Sequence, residues 1–150
     1  QAAAGLSAII DVEMDLHVQF CQAWGLSETD MAALPEATET MAYTRFVLEK
    51  GLQGDLLDLH VALAPCMLGY ADIGKALAEA VDTKRDGNPY LPWIEMYASD
   101  DYQDVAEAEK QTLNRLMETR GGPGRLTSLG ETFNQATRLE TAFWEMGLKA

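Results

Sequence analysis

The sequence predicts an all-α fold, a bundle of helices arranged around one central helix. The stretch from Gly54 to Ala80 is largely apolar and carries no charge between Val61 and Ala71, which is typical of a helix buried on all sides. Residues 126–148 place apolar side chains at the spacing of a helix. No segment alternates between apolar and polar residues for long enough to predict a strand.

Length and charge limit the class of protein. A chain of 150 residues predicts a single domain over 1–150, large enough to bury a core. Its net charge of -13 disfavours contact with a phosphate backbone, so we predict no nucleic-acid partner. The sequence has no run of about 18 apolar residues and predicts no membrane partner.

The cysteines and the first residues indicate the compartment. Cys21 and Cys66 are too few for a disulfide framework, and their spacing is not that of a metal site. The opening QAAAG lacks the basic start and apolar core of a signal peptide. We therefore predict reduced thiols and a cytoplasmic protein. Because the chain starts at Gln1 instead of a methionine, we expect residues upstream of it.

Three helices are predicted before the central one. Residues 6–24 show helical spacing of apolar side chains. Ser27 is a predicted N-cap of a short helix that ends near Pro35. A third helix is predicted from about Thr38 to Lys50, with Gly51 as its C-terminal cap.

The second half of the chain predicts three further helical segments. The central helix extends from Gly54 to about Val81 and is followed by a loop, TKRDGNP. One or two helical turns are predicted in 90–98, and Ser99 is the predicted N-cap of a polar helix ending near Glu118. The inward residues of that helix are predicted to be Val105, Ala108, Leu113 and Leu116. Those of the last helix are predicted to be Leu129, Phe133, Ala136, Leu139, Phe143 and Met146.

The middle of the central helix combines a proline, a thiol and a phenol. Pro65 removes a backbone donor, so we expect a kink and a freed carbonyl. Cys66 follows it, and Tyr70 lies one turn later on the same face. The thiol is either an inert buried side chain or part of a pocket. A nucleophilic thiol needs a partner that stabilises its thiolate, and no basic residue lies within a turn of Cys66.

Glu140 is the candidate acid. It lies in RLETAFWEM, with Phe143 and Trp144 one turn later on the same side of the helix. A carboxyl among aromatic rings has its charged form disfavoured, so its pKa rises and it can donate a proton near neutral pH. The alternative is an ordinary salt bridge to a cation on a neighbouring helix.

Aromatic side chains could line a flat pocket for a planar heterocycle, or they could simply be core. The candidates are Tyr43, Tyr70, Tyr97 and Phe143. A metal site is not predicted, because the Glu-x-x-His pairs of a di-iron bundle are absent and the lone His17 and His60 are too few.

Five segments together resemble the TenA family, also called thiaminase II or aminopyrimidine aminohydrolase. They are, in order, DLHVQFCQAWGLS, AYTRFVLEKG, ALAPCMLGY, YLPWIEMYASDDY and LETAFWEM. The resemblance covers nearly the whole chain from about Glu13. It implies a haem-oxygenase-like all-α fold that carries no haem, metal or other cofactor and often forms a homotetramer.

The resemblance also implies an activity and its residues. The implied reaction hydrolyses an aminomethyl-pyrimidine released from degraded thiamin, and thiamin itself more slowly, to hydroxymethylpyrimidine for thiamin salvage. By motif, Cys66 would be the nucleophile and Glu140 the acid that protonates a ring nitrogen. The substrate-binding residues would be Tyr43 and Tyr97 at the ring, Tyr70 near the thiol and Phe143 in stacking.

The chain departs from the family pattern in two places. No stretch matches the earlier helical segment that carries a substrate-binding aspartate, so we expect the N-terminal helices of the fold to be missing from this chain. Relatives often carry aromatic residues where this chain has Met67 and Leu68, which affects the expected substrate preference. The alternative function is a binding or regulatory protein, or an enzyme acting on another cofactor precursor.

Overall fold

The computed structural model describes residues 14–149, which form seven α-helices and no strand within that range. The predicted all-α fold is therefore confirmed. The chain divides between Glu36 and Ala37 into two compact units. The helices are α1 (Met14–Ala23), α2 (Glu28–Ala33), α3 (Thr38–Gln53), α4 (Leu56–Glu79), α5 (Leu91–Ala98), α6 (Asp100–Arg120) and α7 (Leu126–Gly147).

The first unit contains α1 and α2. Ser27 caps α2 as predicted, because its hydroxyl accepts a hydrogen bond from the Asp30 amide at 3.2 Å. The Asp30 carboxylate accepts from the Ser27 amide at 2.9 Å in return, which completes a capping box. The part of the predicted 6–24 helix that precedes Met14 lies outside the described residues.

The second unit is built around α4, which packs against α3, α5, α6 and α7. The predicted central position of this helix is confirmed. Asp55 caps it by accepting a hydrogen bond from the Leu57 amide at 2.8 Å. Every residue of the uncharged stretch 61–71 is buried or half-buried, whereas Ile73 is 41% and Leu77 is 39% exposed nearer the end of the helix, so burial on all sides does not extend over the whole of α4.

By length and composition alone, α4 is apolar enough to cross a membrane, with a mean hydropathy of 1.3 over the relevant window. The core helix of a soluble bundle meets the same criterion. In this unit α4 is the helix on which the others pack, and 28% of the window is buried in the structure.

Gly51 does not end α3, contrary to the sequence prediction. The helix continues to Gln53, and Gly54 follows as its C-cap. The side chain of Leu59 from α4 lies against Gly51, where an added Cβ would come within 3.1 Å of the leucine Cδ1. This glycine therefore permits close packing of α3 on α4 and does not terminate the helix.

The inward faces of α6 and α7 also differ from the predicted ones. Ala106 and Glu109 are the buried residues of α6, while the predicted Val105 is 50% exposed. Glu109 is accommodated because its carboxylate lies 2.7 Å from Nδ1 of His60 on α4. In α7 the predicted Phe133 is 42% exposed. The buried residues of α7 are Leu129, Thr132, Ala136 and Glu140.

An ion-pair group fixes the start of α7 beside the start of α4. Arg125, the N-cap residue of α7, contacts the carboxylates of Asp55 at 3.0 Å and Asp58 at 2.7 Å. The hydrogen bonds from Arg125 hold the pKa of Asp55 below its usual range. Since α7 carries Glu140, this contact helps to fix the position of that carboxyl along the axis of α4.

Candidate active site

The structure brings side chains from α3, α4 and α7 together next to Pro65. Cys66 and Tyr70 lie one turn apart on α4 and are both half-buried. Tyr43 of α3 is buried, and its hydroxyl donates to the carbonyl oxygen of Ala62 at 3.3 Å. That carbonyl is one turn before Cys66, so the hydrogen bond fixes the phenol of Tyr43 beside the thiol-bearing turn.

Tyr43, Cys66, Tyr70 and Glu140 form one group, the polar cluster. Burial raises the pKa of Tyr43, and negative charge on Cys66 and Glu140 raises it further. Burial likewise raises the pKa of Tyr70, followed by the charges of Glu140 and Cys66. Each phenol is thus close enough to sense both the thiol and the carboxyl, and both phenols are neutral at physiological pH.

Glu140 is the buried carboxyl of this group, with only 8% of its surface exposed. Burial raises its pKa, while hydrogen bonds from the Tyr70 hydroxyl and the Trp144 indole N–H partly oppose the rise. Within residues 14–149 no Lys, Arg or His forms an ion pair with it. The alternative of an ordinary salt bridge therefore has no support there, and burial favours the protonated form of the carboxyl.

Five rings from α4 to α7 form a second group, the aromatic cluster. Its members are Tyr70, Trp93, Tyr97, Tyr102 and Trp144. Tyr70 connects the two groups, with its ring centroid 4.9 Å from Tyr97 and 5.3 Å from Trp144. Flat apolar surface therefore lies directly beside the thiol and the buried carboxyl, an arrangement suited to a planar ring.

The predicted site residues fall into three groups in the structure. Cys66, Glu140, Tyr43 and Tyr70 are brought together in the polar cluster. Tyr97 is 1% exposed and belongs to the aromatic cluster. Phe143 is half-buried on α7, but the neighbouring Trp144 contributes the ring that contacts Tyr70.

Sequence reasoning did not select Trp93, Tyr102 or Trp144 as site residues. The spacing could have identified two of them. Trp93 precedes Tyr97 by four residues on α5, and Trp144 follows Glu140 by four on α7, so each pair shares a helix face. Tyr102 has no such signal, because it reaches the cluster from α6.

The residues of this site are not arranged as metal ligands. Among the side chains that the structure describes, no three or more His, Cys, Asp or Glu groups converge in a way that could hold a metal ion. Every buried side-chain nitrogen or oxygen in that part of the chain has a hydrogen-bond partner.

Removal of the Tyr70 hydroxyl should raise the pKa of Glu140 further. In Tyr70→Phe the carboxylate loses a donor that favours its charged form. A hydrogen bond to a charged group contributes about 1.5–3 kcal/mol, so we expect an upward shift that a titration resolves easily. The measurement is a pH titration of the Glu140 side chain by ¹³C NMR on the labelled protein.

Tyr102→Phe is the matched control for this titration. Its hydroxyl donates to the Met67 carbonyl at 3.5 Å. That variant should leave the pKa of Glu140 where it is in the parent protein. A Glu140 pKa that is unchanged or lower in Tyr70→Phe would contradict the hydrogen-bonding role of Tyr70.

The chain matches the TENA/THI-4/PQQC family over residues 1–150. It is 36% identical to the aminopyrimidine aminohydrolase of Halalkalibacterium halodurans over 142 residues, which cover 94% of this chain and 62% of that protein. It is also 36% identical to an uncharacterized protein of Haemophilus influenzae over 93% of this chain and 64% of that protein. The chain thus spans less than two thirds of the length of these curated relatives.

Two solved structures of TenA proteins have the same fold as this chain. A TenA family transcription regulator from Silicibacter sp. superposes with a TM-score of 0.90 and 44% identity, covering 99% of this chain and 67% of that one. The TenA homologue from P. horikoshii, at 22% identity, superposes with a TM-score of 0.80 over 93% of this chain. On the family match over residues 1–150 and the 44% identity with the Silicibacter protein, the chain belongs to the TENA/THI-4/PQQC family, in agreement with the five sequence segments.

Proposed function

We propose that the protein hydrolyses an aminomethyl-pyrimidine derived from thiamin to the hydroxymethyl-pyrimidine, as part of thiamin salvage. The observation that carries this proposal is the grouping of Cys66 and the buried Glu140, whose pKa burial raises, around the same two phenols. The name of the Halalkalibacterium relative, aminopyrimidine aminohydrolase, gives independent support for the substrate class.

Glu140 is the proposed acid. Its burial favours the neutral carboxyl, which can donate a proton to a ring nitrogen of a bound aminopyrimidine. Protonation draws electrons from the ring and makes its carbons more electrophilic. The hydrogen bonds from Tyr70 and Trp144 hold the carboxyl in place and stabilise the carboxylate that remains after the transfer.

Cys66 is the proposed nucleophile. Its thiolate adds to a ring carbon of the protonated pyrimidine and forms a carbon–sulfur bond, and the electrons released into the ring expel the amine from the exocyclic methylene. Water then adds to the exposed methylene carbon and loses a proton. The amine leaves as ammonia after taking the proton that the thiol gives up. The carbon–sulfur bond then breaks, the ring nitrogen returns its proton to Glu140, and the departing thiolate takes the proton lost by the water. The sum is exchange of the amine for a hydroxyl group, with water consumed and ammonia released.

The aromatic residues are the proposed walls of the ring site. Tyr43 and Tyr97 would line it, Tyr70 would hydrogen-bond near the thiol, and Phe143 would stack on the pyrimidine. The contacts of Trp144 with Tyr70 and Glu140 support adding its indole to this set. Assembly into a homotetramer and a cytoplasmic location belong to the same proposal.

The direct test is a steady-state assay of the full-length protein with aminomethyl-pyrimidine and with thiamin as competing substrates. We expect hydroxymethyl-pyrimidine from both, with the higher kcat/KM for aminomethyl-pyrimidine. Turnover of neither compound, under conditions in which a relative with this activity is active, would overturn the proposed function.

The second candidate is a regulatory protein, since the Silicibacter relative is described as a transcription regulator. A net charge of -13 opposes direct DNA contact by this chain. A regulator that binds a pyrimidine would also have no need for a thiol and a buried carboxyl beside the ligand. Tight binding of the pyrimidine with no turnover in the assay above would favour this candidate.

A further inference from the structure

One side-chain amide outside the proposed catalytic set ties three helices together. Gln103 lies in the first turns of α6, and its Nε2 donates to the carbonyl of Ala71 on α4 at 3.0 Å. The same Nε2 donates to the carbonyl of Tyr97 on α5 at 2.9 Å. Both hydrogens of the amide are therefore used.

The second of these acceptors explains why a donor is needed there. Tyr97 is in the last turn of α5, where carbonyl groups have no amide partner within the helix. Gln103 supplies that partner from α6. It thereby fixes the backbone from which the Tyr97 side chain projects.

A glycine on α4 fixes the same backbone from the other side. A Cβ added to Gly74 would come within 2.6 Å of the Tyr97 Cβ and 2.9 Å of its carbonyl carbon. Gly74 therefore lets the backbone of α5 lie directly on α4. Tyr97 is held by packing at Gly74 and by hydrogen bonding at Gln103.

The position of the Tyr97 backbone determines where its ring lies in the candidate site. It lies at the centre of the aromatic cluster, with ring centroids 4.6 Å from Trp93, 4.7 Å from Tyr102 and 4.9 Å from Tyr70. Tyr70 in turn donates to Glu140. A shift of the α5 backbone would move the wall of the cluster relative to the polar cluster.

We infer that Gln103 is a positioning residue for the ring-binding wall, acting through the backbone of Tyr97. The effect on turnover rests on the proposed function, whereas the effect on the aromatic cluster does not. Because Gln103 would place the wall and take no part in the proton or thiol chemistry, its loss should affect substrate binding more than the chemical step.

The test compares three variants of the full chain. Gln103→Leu keeps the size and removes both donors, and Gln103→Lys keeps donors within reach of the same carbonyls. Gln111→Leu makes the first change at an exposed position of the same helix. Each variant is assayed for KM and kcat with aminomethyl-pyrimidine, for near-UV circular dichroism, and for hydrogen exchange of the α5 amides.

For Gln103→Leu we expect KM to rise by about tenfold, because the wall that contacts the ring is no longer held in place, with kcat within about threefold of the parent value. The near-UV spectrum should weaken and the α5 amides should exchange faster. Gln103→Lys should restore most of each value, and Gln111→Leu should match the parent protein.

Three results would overturn the inference. One is a Gln103→Leu variant with the KM, near-UV spectrum and α5 exchange of Gln111→Leu. Another is failure of both Gln103 variants to fold, which would assign the residue to stability alone. A third is a Gln103→Leu variant that is active with the parent KM although its α5 amides exchange faster. If the parent protein has no turnover, the proposed function fails separately, and the spectrum and the exchange rates still decide the role of Gln103.

Discussion

Cys66→Ser is expected to reduce hydrolysis of aminomethyl-pyrimidine by about a thousandfold or more while the pyrimidine still binds. A serine hydroxyl has nearly the size of the thiol, but it is a far weaker nucleophile at neutral pH because it remains protonated. Tyr43 and Tyr70 flank this position and would hold the ligand as before. Turnover is measured by steady-state kinetics, and binding by quenching of tryptophan fluorescence.

Cys21→Ser is the matched control for this experiment. The chain has only these two cysteines, and Cys21 belongs to α1 of the first unit. That variant should keep the parent kcat and KM. Retained turnover in Cys66→Ser would exclude the thiol as the nucleophile, and loss of binding as well as turnover would assign Cys66 to the ligand site without a covalent role.

Glu140→Gln is expected to lower kcat by about a hundredfold or more, with KM within a few-fold of the parent value. The amide has the shape of the carboxyl and can accept the same hydrogen bonds from Tyr70 and Trp144, but it has no acidic proton to give. An equal loss in kcat/KM and in ligand affinity would mean that Glu140 only positions the ligand.

The same substitution should raise stability at neutral pH. Burial places the pKa of folded Glu140 above its ordinary value of 4.5. Below about pH 4.5 the Glu140 carboxyl is protonated in both the folded and the unfolded chain. As pH rises through the folded pKa, ionisation favours the unfolded chain and stability is lost. Glu140→Gln avoids this loss, so its gain in Tm over the parent should grow from about pH 4.5 upward.

Glu145→Gln on the same helix is the control for both measurements. Its side chain is 59% exposed beside Lys149, so it should change neither kcat nor the pH dependence of Tm. Melting curves over a range of pH check the expectation. A Glu140→Gln variant that is less stable than the parent at neutral pH would mean that the folded protein stabilises the charged carboxylate.

Much of the helical structure could be predicted because its signals are local. Ser27 and Ser99 were predicted as N-caps, and both accept hydrogen bonds from the first turn of the following helix. The prediction that Gly51 caps the end of α3 was wrong, because close packing of two helices also requires a glycine. Only the contact with Leu59 distinguishes these two roles of the residue. The predicted inward face of α6 was also wrong, because a contact with another helix decides it: Glu109 is buried against His60 of α4.

In the candidate site, too, some features follow from local sequence and others depend on how the helices pack. The shared face of Cys66 and Tyr70 follows from the helical repeat alone. The contact of Tyr102 with Tyr97 depends on how α6 packs on α5, and helical spacing within one segment carries no information about that packing. The same is true of the two carbonyls that Gln103 bridges.

The sequence by itself determined the kinds of chemistry that this protein carries: a thiol after a buried proline, an acid among aromatic residues, and the helices that bear them. Only the tertiary structure decided that Glu140 is buried without a cation among the described residues and is hydrogen-bonded by Tyr70 of another helix. The physical reason is the range of the interactions. Helix formation and capping depend on residues within one or two turns, whereas desolvation of a carboxyl depends on every helix packed around it.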